Sequence, residues 1–198
     1  VHECAAVAAR FPEAADYLDV YDRFGLVGPR SVFAHGIHLP DRACARLHES
    51  GAGIAVCPSS NLFLGSGHFD FGQADRFGVK LGLGSDVGAG TTFSLLHTAG
   101  LAYQAALARE DRLSPFRALY LATLGSAQLL GIADKVGALE VGQEADFVVL
   151  DPAATPLLAR RTQDAPLAQR LFALQVLGDD RAVARTYVLG GCAWERTA

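Results

Sequence analysis

The amino-acid sequence predicts an α/β fold in which strands alternate with helices and run parallel to one another. Three short apolar runs, at residues 31–35, 53–57 and 79–84, have the length and composition of buried strands. Segments with helical start and stop signals follow them, and this alternation implies crossover helices between parallel strands. Such an arrangement occurs both in an α/β barrel and in a doubly wound sheet.

The helical segments are identified by capping residues and by apolar residues three and four positions apart. Ser114 is a typical N-cap with Pro115 in the first turn, and Gly51 and Gly131 are typical helix ends. A loop with a short helix is expected between residues 57 and 79. Short helices are expected over residues 4–10 and 17–21, and further helices over residues 40–51, 92–109 and 114–130.

The pattern changes after Gly137, where a second group of strands begins. A turn at residues 142–146 leads into an apolar run that ends at Leu150, and a hairpin is expected over residues 186–194 around Gly190. The residues between 157 and 177 are helical or irregular. We therefore expect two portions, residues 1–136 with the parallel strands and residues 137–198 with strands of another sheet.

Composition and charge exclude several classes of function. The chain has 198 residues, of which 51% are hydrophobic and 19% charged, as in globular proteins that bury a core. A net charge of −4 argues against a nucleic-acid-binding surface. No apolar run approaches the roughly 20 residues that cross a bilayer, so we expect a cytoplasmic protein that does not bind membranes. The sequence begins at Val1 and not at Met, and we expect it to be part of a longer protein.

The four cysteines are scattered along the sequence, at positions 4, 44, 57 and 192. None of them forms a C-x-x-C pair, so the spacing suggests neither a disulfide framework nor a zinc knuckle. We expect four reduced thiols, with Cys57 a buried thiol and not a nucleophile.

Polar residues stand at the C-terminal end of each predicted parallel strand. They are His35, the segment 57–61 (CPSSN) and Asp86. Barrel enzymes place their chemistry at this rim, although a doubly wound sheet also binds ligands at strand C-termini. The placement favours a barrel and leaves the doubly wound sheet as an alternative.

Asp86 is a candidate metal ligand and proton carrier. It follows an apolar strand and opens the glycine-rich loop 84–90 (GSDVGAG), so little side-chain bulk surrounds its carboxylate. A carboxylate can bind zinc with one oxygen and hold a proton of water with the other. The alternatives are an Asp that caps the following helix and a phosphate-binding loop, but a Lys of the Walker type is missing before Thr91.

His35 is a candidate catalytic residue because it also follows a predicted strand. A neutral imidazole there could orient a water molecule or polarise a substrate, whereas a single histidine at a strand end is more often structural. Barrel geometry would bring His35 and Asp86 into one pocket, which makes the pair a stronger candidate than either residue alone.

The motifs taken together resemble those of the guanine deaminases, a branch of the amidohydrolase superfamily. The resemblance covers the whole chain, and the loop around Ser66 and the GDDR turn at 178–181 are its most specific parts. The segments that carry it are 17–21 (YLDVY), 33–39 (FAHGIHL), 57–67 (CPSSNLFLGSG), 84–92 (GSDVGAGTT), 142–150 (GQEADFVVL) and 177–181 (LGDDR).

The resemblance implies the C-terminal part of a (β/α)8 TIM barrel, about strands six to eight with their helices, followed by the C-terminal strands of a composite β-sandwich. Half a barrel would leave strand edges and apolar surface uncovered. The complete enzyme would be a homodimer with one zinc ion in each active site and free guanine as its substrate.

The resemblance also implies the chemistry. Zinc activates a water molecule that attacks the carbon bearing the amino group of guanine, which leaves xanthine and ammonia. Asp86 matches the eighth-strand aspartate that binds zinc and shuttles protons. His35 matches the sixth-strand histidine, which helps hold the attacking hydroxide in one-metal members and binds a metal in two-metal members. The loop over residues 59–67 would line the pocket.

Several residues of the family pattern have no counterpart in this sequence. The missing groups are the His-x-His of the first strand, the substrate-binding residues of the middle strands, and the fifth-strand His with a Glu three positions on. His2 is followed by Glu3 and Cys4 and does not fit that spacing, so we interpret it as a surface residue of a helix. We expect the chain alone to be inactive because His35 and Asp86 cannot complete a zinc site.

The remaining histidines are interpreted as structural or solvent-exposed, except that His38 is expected close to the site; the others are His48, His68 and His97. Two alternatives to guanine deamination stay open. One is an amidohydrolase that acts on a different aminated ring, and the other is a non-catalytic remnant or assembly subunit.

Overall fold

The computed structural model describes residues 2–197, in which a parallel sheet lies near the middle of the chain. Strands β1 (Val32–Ala34), β2 (Gly53–Val56) and β3 (Lys80–Leu83) pair in the order β1-β2-β3, all parallel. Their register places Phe33 opposite Ile54 and Ile54 opposite Leu81. The three strands lie where the apolar runs predict them, which confirms the α/β class.

Helices precede, connect and follow these strands. They are α1 (His2–Arg10), α2 (Tyr17–Arg23), α3 (Asp41–Ser50), α4 (Pro58–Phe63), α5 (Phe71–Phe77), α6 (Leu95–Leu107), α7 (Pro115–Ala122), α8 (Leu124–Leu130), α9 (Pro156–Thr162) and α10 (Leu167–Leu177). The residues that begin and end them are of the expected types. The Ser114 hydroxyl accepts a hydrogen bond from the Arg117 N–H at 3.1 Å, and Gly51 and Gly131 end α3 and α8 in the left-handed conformation that glycine tolerates.

Two parts of the helix prediction are wrong. One short helix is predicted between residues 57 and 79, but the segment contains two, α4 and α5. Helix α4 begins directly after β2, because proline at the first helical position is already in helical φ and needs no N–H donor. The single helix expected from Ser114 to Leu130 is interrupted at Thr123 (φ −127°, ψ −100°). This break lets α8 approach the sheet so closely that a Cβ on Gly82 would lie 2.6 Å from the Ser126 hydroxyl.

The main core lies between the parallel sheet and the helices that cover it. Ile54 and Val56 of β2 are at most 1% exposed, and they belong to one buried cluster with Leu47 of α3 and Leu121 of α7. Burial of each such side chain stabilises the fold by about 1.5–3 kcal/mol before the loss of chain entropy is counted. The core therefore fixes the strands whose ends carry the polar residues.

A second sheet is formed by β4 (Phe147–Leu150), β5 (Val183–Val188) and β6 (Gly191–Glu195), which are antiparallel in the order β4-β5-β6. The predicted hairpin of β5 and β6 is confirmed. Phe147 and Tyr187 stack on this sheet with ring centroids 4.5 Å apart.

Helix α10, between β4 and β5 in the chain, packs against the helices that follow the parallel sheet. The approach of α10 to α6 is close, because a Cβ on Gly100 would lie 2.4 Å from the Gln175 carbonyl oxygen. The Gln175 side chain is buried and donates a hydrogen bond to the Pro115 carbonyl oxygen at 2.8 Å. The C-terminal portion is thus joined to the first portion by buried contacts.

Apolar surface and strand edges remain uncovered, as expected for part of a barrel. Among residues 2–197, β1 and β3 are each paired on one side, and Phe93 and Leu139 are at least 80% exposed. None of the helices in these residues is both long and apolar enough to cross a membrane.

Candidate active site

His35 and Asp86 lie side by side at the C-terminal ends of β1 and β3. The distance from His35 Nε2 to Asp86 Oδ2 is 3.8 Å, and the side chains are 42% and 36% exposed. Both residues have positive φ, 68° for His35 and 49° for Asp86, which is uncommon for residues with a Cβ. Such backbone strain is found most often at functional sites, and here it points both side chains into one open site.

The backbone around His35 is held by the neighbouring strand. The His35 N–H donates to the Ala55 carbonyl oxygen at 3.0 Å, which extends the pairing of β1 with β2 by one residue. Gly36 follows with φ 63°, and a Cβ there would lie 2.9 Å from the Ile54 side chain. The chain can turn away from the strand at this point because residue 36 has no side chain.

The loop that carries Asp86 folds back tightly on itself. The Gly90 N–H donates to the Asp86 carbonyl oxygen at 2.5 Å, and a Cβ on Gly90 would lie 1.9 Å from the Ser85 carbonyl oxygen. Glycine is required at position 90 by this close backbone approach. The loop is thus shaped by its glycines as the sequence predicts, and its first residues hold Asp86 toward His35.

Helix α4 connects the two strand ends through buried polar side chains. Asn61, which is 3% exposed, accepts a hydrogen bond at Oδ1 from His35 Nδ1 over 2.8 Å. Ser59, which is 2% exposed, accepts one from the Thr91 N–H at 2.7 Å and makes a second hydrogen bond with the Thr91 hydroxyl at 2.9 Å. One short helix therefore contacts both His35 and the loop that follows Asp86.

Cys57 lies directly beneath the pair. Its Sγ, the His35 ring and the Asp86 carboxylate offer three possible ligand atoms that lie within 4.8 Å of one another. Burial raises the pKa of the Cys57 thiol, and the thiol donates to the Ala55 carbonyl oxygen at 3.3 Å. The prediction of a buried thiol is confirmed, and it leaves His35 and Asp86 as the solvent-accessible members of the group.

A cavity of about 430 Å³ opens beside His35. Its walls include Asn61 of α4, His38 from the loop after β1, and Tyr17 and Glu3 from the first two helices. The Tyr17 hydroxyl donates to the Glu3 carboxylate at 2.7 Å, and this hydrogen bond together with burial raises the pKa of Tyr17 above its ordinary value. The volume is within the range of small-molecule sites.

Four of the other histidines are exposed to solvent. His2 is an exposed residue of α1, as the sequence predicts, and His48, His68 and His97 are exposed as well. His48 Nδ1 lies 3.0 Å from the Gly78 carbonyl oxygen, which gives this ring a structural partner.

Sequence reasoning did not assign a role to Asn61. An asparagine inside a Pro-Ser-Ser-Asn segment is most simply interpreted as a turn residue. Its burial and its contact with His35 become evident only once β1 and α4 are placed side by side. Proline at the start of the segment was the one available signal that a helix begins there.

The fold has counterparts among known proteins. Residues 2–192 match the model of the amidohydrolase family. The chain therefore belongs to the amidohydrolase family.

Within this family the chain is similar to guanine deaminases, as its motifs indicate. It is 47% identical to the guanine deaminase of Escherichia coli (strain K12) over 195 residues, which cover 98% of this chain and 44% of that protein. The E. coli guanine deaminase structure superposes with a TM-score of 0.96 over 99% of this chain and 46% of that chain. The chain thus spans less than half of the length of these relatives.

Two further solved structures bear on the site. The guanine deaminase of C. acetobutylicum with bound guanine is 30% identical, with a TM-score of 0.87 over 98% of this chain and 46% of that chain. An adenosine deaminase of Xanthomonas campestris with bound zinc is 28% identical, with a TM-score of 0.84 over 97% of this chain and 43% of that chain.

Proposed function

We propose that the chain is the C-terminal part of a guanine deaminase, which hydrolyses guanine to xanthine and ammonia. The observation that carries this proposal is the adjacency of His35 and Asp86, 3.8 Å apart at the ends of β1 and β3, in a chain 47% identical to a guanine deaminase. The guanine bound to the C. acetobutylicum relative supports the choice of substrate.

The residues present fit part of a zinc site. Zinc binds imidazole nitrogen and carboxylate oxygen, and His35 and Asp86 offer both groups from separate strand ends and are open to solvent. Asp86 is the proposed metal ligand. Because zinc takes three or four protein ligands, the rest would come from the part of the enzyme that this chain does not span. When bound, zinc supplies the Lewis acidity that makes water a nucleophile near neutral pH.

Asp86 and His35 have different roles in the reaction. The Asp86 carboxylate accepts a proton from the attacking water and returns it to the departing amino nitrogen, while the oxygen of that water becomes bonded to the ring carbon. The His35 imidazole orients the water through Nε2, the ring nitrogen that faces Asp86. The second proton of the water passes to the adjacent ring nitrogen, ammonia leaves as the carbon–nitrogen bond breaks, and the carbon retains the new oxygen as the carbonyl group of xanthine.

The finer architecture follows from the same proposal. β1, β2 and β3 correspond to strands six to eight of a (β/α)8 barrel, residues 1–136 to the barrel portion, and residues 137–198 to the barrel-end segment and part of a β-sandwich. The complete enzyme is a homodimer that acts on free guanine in the cytoplasm. All four cysteines are free thiols, which supports a reducing compartment.

An amidohydrolase that acts on a different aminated ring is the second candidate. The similarity to an adenosine deaminase, with a TM-score of 0.84, is the observation that favours this second candidate. The two functions differ in the ring that is turned over, so a comparison of guanine, adenosine and an aminated triazine as substrates separates them.

The proposal is tested by joining this chain to the upstream part of E. coli guanine deaminase, in place of the 44% of that protein that it matches. We expect the fused enzyme to contain zinc and to form xanthine from guanine. Asp86→Asn should lower kcat at least about 100-fold, because a neutral amide neither accepts the proton nor binds the metal well.

Asp134→Asn is the matched control, since Asp134 is exposed and lies outside the site. It should leave turnover unchanged. A folded, zinc-loaded fusion without activity on guanine would exclude guanine deamination, and unchanged turnover in Asp86→Asn would remove Asp86 from the mechanism.

A further inference from the structure

The hydrogen bond between Asn61 and His35 determines which ring nitrogen of His35 carries a proton. A carbonyl oxygen can only accept, so Asn61 Oδ1 at 2.8 Å requires a proton on His35 Nδ1. In a neutral imidazole Nε2 is then unprotonated, and its lone pair is directed to the side where Asp86 lies 3.8 Å away. The ring is thereby ready to accept a hydrogen bond in the open site.

Asn61 is itself fixed within α4. Its main-chain N–H donates to the Cys57 carbonyl oxygen at 3.1 Å, and its main-chain carbonyl oxygen accepts from the Ser66 N–H at 2.9 Å. The side chain is 3% exposed, whereas the His35 side chain is 42% exposed. The buried amide, whose Nδ2 has no hydrogen-bond partner among residues 2–197, therefore holds through Oδ1 a ring that solvent would otherwise leave free to rotate about its side-chain bonds.

The opposite orientation of the Asn61 amide has a different consequence. Nδ2 would then donate to His35 Nδ1, and the proton of the neutral ring would move to Nε2, facing Asp86. Nε2 would then be a donor on the side of the carboxylate and could not accept a hydrogen bond from water. The two orientations therefore differ in the function that His35 can perform.

We propose that Asn61 is a positioning residue, which holds the His35 ring and keeps its proton on Nδ1 so that Nε2 is free to orient the attacking water. The effect on turnover rests on the proposed deaminase function, whereas the effect on the imidazole does not. Asn61 acts through His35 and is not expected to touch the substrate.

The protonated nitrogen can be observed directly by NMR. In the fused enzyme labelled with 15N-histidine and freed of metal by a chelator, long-range 1H–15N spectra distinguish the two neutral tautomers. The His35 signal is identified by its absence from a His35→Gln variant. We expect the proton on Nδ1 in the wild type, a mixture or the Nε2 tautomer in Asn61→Leu, and a retained Nδ1 proton in Asn61→Asp, which keeps an acceptor oxygen.

Kinetics provide a second measurement that separates positioning from packing. Asn61→Leu should lower kcat about 10- to 100-fold with little change in KM, since loss of a hydrogen bond that orients an active-site histidine has effects of this size. Asn61→Asp should restore most of that loss. A packing role predicts the reverse order, because leucine is the better tolerated buried residue.

Thr162→Val is the matched control on another helix. Thr162, in α9, is 6% exposed, and its hydroxyl donates to the Leu158 carbonyl oxygen at 2.8 Å, outside the candidate site. It should alter neither the His35 tautomer nor kcat. If Asn61→Leu does not fold, Asn61→Gln, which moves the carbonyl oxygen by one methylene, serves in its place.

A wild-type His35 protonated on Nε2, or a tautomer and kcat unchanged in Asn61→Leu, would overturn the proposal. If the wild-type fusion shows the Nδ1 tautomer but makes no xanthine, the deaminase function fails while the assignment of Asn61 to His35 stands.

Discussion

Replacement of Gly90 by alanine is expected to displace Asp86 without removing any functional group. A Cβ at position 90 would lie 1.9 Å from the Ser85 carbonyl oxygen and 2.8 Å from that of Asp86. Because Cβ contacts do not fall below 3.0 Å, the loop must open by about 1.1 Å at Ser85. The Gly90 N–H would then move away from the Asp86 carbonyl oxygen, which it contacts at 2.5 Å.

The expected effect is larger on turnover than on stability. Overpacking of this kind destabilises a protein by about 1–3 kcal/mol, and an exposed loop relieves part of it by moving. A displacement of about 1 Å in a catalytic group, in contrast, lowers the rate about 100-fold. Gly90→Ala should therefore reduce kcat strongly while the fused enzyme remains folded.

The assay is xanthine formation together with zinc content and the thermal unfolding midpoint of the fused enzyme. Gly28→Ala is the matched control, because a Cβ on Gly28 meets nothing within 4 Å and no positive φ is required there. Equal kcat and zinc content in the two variants would refute the argument that the backbone of residues 85–90 positions Asp86.

Two further predictions concern titratable groups. Cys57 is 3% exposed and its thiol has a raised pKa, whereas Cys192 is exposed. Iodoacetamide near neutral pH should therefore alkylate Cys192 well before Cys57, as measured by mass spectrometry of the native protein. Fast labelling of Cys57 would contradict its burial. The Ala15 N–H and the Arg23 guanidinium lower the pKa of Asp19 from 3.8 to about 2. A carboxylate whose pKa is lower in the folded state stabilises the protein at pH values above its unfolded-state pKa, and this stabilisation is lost as the pH falls. The stability of Asp19→Asn, measured by urea unfolding, should therefore depend less on pH than that of the wild type between about pH 4 and 2. Equal pH dependence would exclude this contribution.

The sequence was sufficient to predict the parallel strands and the two residues at their ends. The apolar run at residues 79–83, followed by Gly84, contains the information for a strand and its end in the local chain. The proximity of His35 and Asp86 followed from a general property of parallel sheets, whose C-terminal strand ends meet at one edge. Their catalytic roles remain predictions.

What the sequence could not supply were features decided by tertiary contact. The break at Thr123 accompanies the approach of α8 to β3, and no proline marks it in the sequence. The contact of Asn61 with His35 spans 26 positions and depends on the placement of α4 beneath the end of β1. Local propensity describes neither of these arrangements, because both depend on residues distant in the sequence.

The close packing of α10 on α6 couples the folding of two segments that are distant in the sequence. The backbone at Gly100 lies against the carbonyl oxygen of Gln175 with no space for a methyl group between them. Because the partners are 75 positions apart in the sequence, neither helix can complete its packing before the other is in place. A shortened chain that ends before α10 would expose the buried face of α6 and lose part of the support on which the position of Asp86 depends.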